Sequence, residues 1–279
     1  TQLQAWLSLP GPTGRWSWQG LISYQLLIFM AVPLFPQIFQ RFYMAKNAQV
    51  FKTMMVVWPV LILVVFFPAT LIGVWGRLRF PTLEQADQIM PLMLQTLPTG
   101  LAALVIVAAL AALMSTADSQ LLTTSSLVTR DLIYTYFNRQ LSPLQEARLG
   151  RLVVLAIALA SFAIALNPPG VIVEIATWSF QGSAMLFPVL VAGLYWKRTS
   201  RAGALAGGLV SSALTLGWLA NLLPQAWRGG WLPVIPAGVV GTIVLILVSL
   251  LTPPPGEQVV AYYEGPWAEN PPDRTGDQL

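Results

Sequence analysis

Residues 101–129 read LAALVIVAALAALMSTADSQLLTTSSLVT. From Leu101 to Leu113 the stretch is almost wholly Ala, Val, Leu and Ile, and then Ser115, Thr116, Ser119, Thr123, Thr124, Ser125, Ser126 and Thr129 crowd the positions that follow. A helix rises about 1.5 Å per residue and needs about 20 apolar residues to cross roughly 30 Å of hydrocarbon. From Pro98 to Asp131 there are 34 residues, roughly 50 Å of helix, so one end projects beyond the membrane. Ala112, Ser115, Thr116, Ser119 and Thr123 follow the three-and-four spacing of one helical face. A small residue followed by hydroxyls lets another backbone come close and presents hard oxygen ligands, which suit a hard cation such as sodium. The competing reading is that the hydroxyls bond the preceding turn or a neighbouring helix. Asp118 lies one turn from Ser115 on an adjoining face, at a depth where a carboxylate costs about 3 kcal/mol unless it is neutralised or faces water. It marks an ion or proton path, or it pairs with a loop Arg.

Six further windows without charge flank this one, giving 16–40, 53–76, 88–117, 152–173, 175–196, 202–227 and 229–256. Each is long enough to span. The predicted spans are 18–42, 53–75, 98–132, 143–166, 172–196, 202–223 and 233–252, within a transmembrane domain of residues 1–256. Composition agrees: 9% of the 279 residues are charged and 56% hydrophobic, with a mean hydropathy of +0.66, against about 25% charged in soluble domains. With no Cys and no His, disulfides, thiolate or imidazole metal sites and His-dependent nucleophile systems are excluded. The net charge of +4 is spread singly and in pairs between apolar runs, without a basic face for nucleic acid. If the N-terminus is outside, the cytoplasmic segments hold eleven Lys and Arg (Arg41, Lys46 and Lys52; Arg130 to Arg151; Lys197 to Arg201; Arg274) and the outer ones four: Arg15, Arg77, Arg79 and Arg228. The positive-inside rule then places the N-terminus outside and the C-terminus in the cytoplasm, in a multi-pass protein of the inner or plasma membrane. The first residue is Thr and no signal peptide precedes the first apolar run, so the chain is expected to be a fragment or a processed product.

Some boundaries are legible. Ser142-Pro143-Leu144-Gln145 has a capping-box pattern with Pro at the first helical position, and Asn167-Pro168-Pro169-Gly170 ends that helix in a tight turn. Pro81 to Pro98 is expected to form a short helical lid. Pro33 and Pro36, in Ala31-Val32-Pro33-Leu34-Phe35-Pro36-Gln37, each remove an amide donor, so the first span must break or kink. Residues 257–279 are expected to be a polar, disordered cytoplasmic tail. Gly203-Ala204-Leu205-Ala206-Gly207 places two glycines on one face and predicts close helix packing.

Three motifs carry a resemblance: Phe35 to Asn47 (FPQIFQRFYMAKN), Ala112 to Leu122 (ALMSTADSQLL) and Gly193 to Gly207 (GLYWKRTSRAGALAG). In this order they resemble the sodium:solute symporter family, whose members include proline, pantothenate, monocarboxylate and sugar transporters. The resemblance implies an all-α membrane protein, part of a LeuT-type transporter built from a five-plus-five inverted repeat. The seven spans then resemble core helices six to ten followed by two accessory helices, the first span matching discontinuous helix six and the third matching helix eight. It implies sodium-coupled uptake of a small organic solute, such as an amino acid or monocarboxylate, by alternating access. The sodium ligands carried over are the hydroxyls of Ser115 and Thr116 and the Ala112 carbonyl. A second cation site would bring in Asp118 and Ser119, although several relatives have a neutral residue at the position of Asp118. Pocket walls for the solute fall on Ala31, Pro33, Phe35, Gln37, Trp178 and Gln181. A proton could replace sodium. Helices one to five, the expected partners within the same transporter, are not in these residues, so the chain is expected to be an incomplete C-terminal half.

Two other classes were weighed. A seven-helix receptor or photoreceptor agrees in count and orientation, but a retinal protein needs a Schiff-base Lys in its last span, and 229–256 has none. A membrane enzyme would have to use Asp118 and Glu174 as a pair, and these belong to different spans.

Overall fold

A computed structural model describes residues 17–83, 85–137 and 141–256. All the regular secondary structure of the described residues is helical, with no strand among them. The helices are α1 (Trp18–Ala31), α2 (Pro36–Phe42), α3 (Ala48–Arg79), α4 (Ile89–Gln95), α5 (Thr99–Ser126), α6 (Pro143–Leu166), α7 (Ile172–Ala184), α8 (Phe187–Tyr195), α9 (Arg201–Leu219) and α10 (Val234–Leu251). α5 runs on through a π-helical segment, Leu127–Tyr134, to a last turn at Thr135–Phe137. Among the described residues six helical stretches are long and apolar enough to cross a membrane, and a seventh follows if the broken pair at Trp18–Phe42 counts as one span. The expected tail, 257–279, lies outside the described residues, as do Arg15, Trp16, Arg139 and Arg274.

The chain divides into two compact units, Thr1–Phe35 with Thr177–Leu279, and Pro36–Ala176. In the first, Leu27 and Ala31 of α1, Ala184 of α7 and Val234 of α10 form a fully buried cluster. Its best-packed element pair is α9 with α10. Gly203, Gly207, Ser211 and Thr215 recur every four residues along α9 and are buried, as are Gly241, Leu245 and Ser249 along α10. A methyl group built on Gly207 would lie 2.6 Å from Leu245 Cβ and 2.7 Å from the Gly241 carbonyl, so only hydrogen fits there. The predicted close packing is found, and α10 is the neighbour. Without a hydrophobic force between helices in lipid, such close contact supplies the association energy. Ser200 caps α9 by accepting from the Gly203 amide at 3.0 Å.

The second unit is different in kind. α3 is exposed along nearly its whole length, and only Gly76 is buried. Its missing side chain lets Ile89 of α4 lie against the helix. Between Pro81 and Pro98 the expected short helix is found, a 3-10 turn at Ala86–Gln88 leading into α4. The capping box at the start of α6 forms as read: Gln145 N–H donates to Ser142 Oγ at 3.4 Å, and Ser142 N–H to Gln145 Oε1 at 2.9 Å.

Two of the predicted spans are interrupted, the first at its expected break. At the first, α1 tightens into a 3-10 turn at Val32–Leu34, and Phe35 is extended (φ −61°, ψ 122°) before α2 restarts at Pro36. Pro33 has no N–H for the Phe29 carbonyl and Pro36 none for Val32, whose carbonyl instead accepts from Phe35 at 3.3 Å. The fifth window turns at Met185–Leu186 before α8, with Pro188 in the first turn of the new helix.

Candidate functional site

The candidate cation ligands lie in the middle of α5. Thr116 Oγ1 donates to the Ala112 carbonyl at 3.3 Å. Ser119 Oγ donates to the carbonyls of Ser115 at 3.3 Å and Thr116 at 3.0 Å. Thr and Ser reach back this way when nothing better is offered, so the competing sequence reading is the one these three bonds express. Ser115 Oγ makes no hydrogen bond among the described residues. Ala112, Ser115, Thr116 and Asp118 are all exposed, and Ser119 is half-buried. The expectation that Ser115 and Thr116 face an interior concavity is therefore not met within this chain: α5 presents them on an open face.

The back-bonded geometry still has a use. A carbonyl oxygen and a hydroxyl oxygen 3.3 Å apart have the spacing of neighbouring ligands in an octahedral shell with arms of about 2.4 Å, whose edge is about 3.4 Å. Turning the Thr116 hydrogen aside would leave two oxygen lone pairs converging on one point. Among the described residues no cluster of three or more acidic side chains could hold a metal.

The expected solute walls behave as parts of a packed core. Ala31 is fully buried against Leu27, Ala184 and Val234. Phe35 meets Phe180 edge-to-face with centroids 5.1 Å apart. Gln181 is 1% exposed, and its Oε1 accepts the Val234 N–H at 3.2 Å, satisfying an amide at the start of α10. Pro33 is half-buried, Trp178 is 41% exposed, and Gln37 belongs to the second unit. The structure thus groups Ala31, Phe35 and Gln181, and gives Gln181 a structural hydrogen bond.

Other polar contacts went unread in the sequence. Ser23 is fully buried, donating to the Gln19 carbonyl at 2.6 Å and accepting from the Leu232 amide at 3.1 Å. The hydroxyls of Tyr24 and Thr177 share a 3.3 Å hydrogen bond. Where α5 passes into its π segment, Ser125 donates to the Gly150 carbonyl of α6 at 2.9 Å and Thr129 to the Ser125 carbonyl at 2.6 Å. Arg130 pairs with Glu146 at 2.5 Å across a cleft of about 350 Å³. The clustered hydroxyls were visible in sequence, but their partners on α6 were not, because nothing local specifies which helix lies alongside.

Comparison with known proteins follows the motifs. A family model described as "Sodium:solute symporter family" matches residues 15–211. The osmoregulated proline transporter OpuE of Bacillus subtilis (strain 168) is 37% identical over 151 residues, covering 54% of this chain and 30% of that protein. The sodium/proline symporter of Staphylococcus aureus is 37% identical over 156 residues, 53% of this chain and 30% of its own length, and that of strain Newman is 36% identical over the same length. The chain thus matches 30% of the length of these relatives. No solved structure matches it. These relatives are transporters, not enzymes, and neither the receptor reading nor the carboxylate-pair reading is favoured. With the family match covering most of its residues, this multi-pass helical chain belongs to the sodium:solute symporter family.

Proposed function

We propose that these helices form part of a sodium-coupled symporter for a small organic solute, with the Ala112 carbonyl, Ser115 and Thr116 among the sodium ligands. The observation that carries this is the 3.3 Å separation of Thr116 Oγ1 and the Ala112 carbonyl, the spacing of adjacent ligands of a hard cation. Asp118 and Ser119 would serve a second cation a turn further along. The open face of α5 would be closed by the first repeat of a LeuT-type inverted pair, the family's core helices one to five, which would supply the remaining oxygens. The broken stretch Ala31–Gln37 and α7, with Pro33, Phe35, Trp178 and Gln181, would border the solute. Relatives named as proline transporters make proline the first solute to try. The loop charges support a topology with the N-terminus outside and the C-terminus in the cytoplasm.

The test is uptake of labelled proline into proteoliposomes bearing the transporter that contains these helices, under an imposed sodium gradient. Accumulation that needs sodium, and that weakens in Ser115→Ala and Thr116→Ala, supports the proposal. Accumulation driven by a pH gradient without sodium would replace sodium by a proton. Solute uptake indifferent to both gradients would overturn the reading.

A further inference from the structure

The cleft of about 350 Å³ between the end of α5 and the start of α6 is lined by Ser125, Ser126, Thr129, Arg130, Glu146 and Gly150, among others. Its place on α5 is not arbitrary. Ser115, Ser119 and Ser126 stand four and seven residues apart, a spacing that keeps them on one helical face. The seven residues from Ser119 to Ser126 rise about 10 Å. A cation leaving the Ser115–Thr116 face in that direction therefore arrives at this cleft.

The lining offers hard oxygens. Ser125 and Thr129, 4% and 3% exposed, donate their hydrogens to the Gly150 and Ser125 carbonyls. A hydroxyl that donates its one hydrogen keeps its lone pairs as acceptors, so both oxygens are already fixed for a positive ion. Half-buried Ser126 makes no hydrogen bond among the described residues. Glu146 is the one carboxylate in the lining. Its Oε1 accepts from Arg130 Nε at 2.5 Å, and no described group bonds its Oε2.

Arg130 is thus a cation already seated on the cleft's carboxylate, and it is loosely seated. The two side chains are 70% and 35% exposed, and an ion pair so open to water is easily exchanged. Its guanidinium comes from the π-helical stretch that continues α5, a geometry that recurs at functional sites. We propose that the cleft is a further sodium station, in which Arg130 is a tethered cation that holds Glu146 between ions and yields it when sodium arrives. This rests on the sodium coupling proposed above, and adds to it a place where the ion pauses between the Ser115–Thr116 face and the water beyond the end of α5.

The experiment is hydrogen exchange by mass spectrometry on the transporter that contains these helices. Sodium chloride is titrated against choline chloride at constant ionic strength, and the amides of residues 143–150 are followed. Sodium should slow their exchange, and Arg130→Gln should lower the half-saturating sodium about fivefold, the scale of one exposed ion pair removed as competitor. Arg130→Lys should stay near the parent, and Glu146→Gln should abolish the sodium effect. Thr116→Ala, which alters the other site, should leave this half-saturation unchanged. A half-saturation unmoved in Arg130→Gln, sodium protection that survives Glu146→Gln, or equal protection by potassium chloride overturns the station. A merely structural ion pair would change exchange without sodium but not its dependence on sodium. Sodium-driven proline uptake by the same preparation without protection at 143–150 sinks the station and leaves the symporter reading standing, whereas loss of every sodium effect removes both.

Discussion

The hydroxyl of Thr116 lies 3.3 Å from the carbonyl oxygen of Ala112, one turn back on the same helix. A single hydrogen bond joins the two atoms that a cation would separate only slightly. Replacing Thr116 by Ala removes one oxygen while keeping the helix. In the transporter containing these helices, the half-saturating sodium concentration for uptake should rise about tenfold or more, on the scale of one polar group's interaction with a charge, about 1.5 kcal/mol. Thr116→Ser should stay close to the parent. Equal sodium dependence in all three would leave Thr116 bonding only its own helix.

The contact between α9 and α10 leaves no room for a side chain at Gly207, where a methyl group would lie 2.6 Å from Leu245 Cβ. Gly207→Leu should destabilise the first unit by about 1–3 kcal/mol or force the helices apart. Gly73 on α3 has nothing within 4 Å of its missing methyl group, and Gly73→Ala should be neutral or slightly stabilising. Thermal unfolding in detergent compares the two. A Gly207→Leu chain as stable as the parent would contradict the packing.

Thr215 is fully buried on the same face, and its hydroxyl has no hydrogen-bond partner among the described residues. An unsatisfied buried hydroxyl costs about 1–3 kcal/mol. Thr215→Val keeps the shape and removes that cost, so the melting temperature should rise. A fall would show that the hydroxyl has found an acceptor.

The capping box at Ser142 and Gln145 satisfies two amides at the start of α6. Ser142→Ala should cost about 1 kcal/mol, with faster hydrogen exchange confined to the first turn of α6. Ser142→Asp should restore protection. Unchanged exchange in Ser142→Ala would mean that Pro143 alone fixes the helix start.

Much of this protein was legible before any coordinates. Apolar windows between charges set the helices of the membrane region, because hydrocarbon leaves a backbone no alternative to bonding within its own segment. Pro33 and Pro36 announced the break after Ala31, and Ser142-Pro143-Leu144-Gln145 announced the start of α6, because both signals act on atoms within a turn of themselves. The Gly203 and Gly207 spacing announced a close neighbour. Which neighbour was decided only in three dimensions: α10, whose Gly241 and Leu245 fit that face, lies more than thirty residues along the chain. The same limit applies to Gln181, expected beside a solute and found bonded to Val234, and to Ser125, whose partner is Gly150 of α6. It applies to α5 most of all. Its residue order determined a face of hydroxyls, but only the tertiary structure decided that Ser115 and Thr116 stay exposed among the described residues, because no local signal on a helix fixes what packs against it.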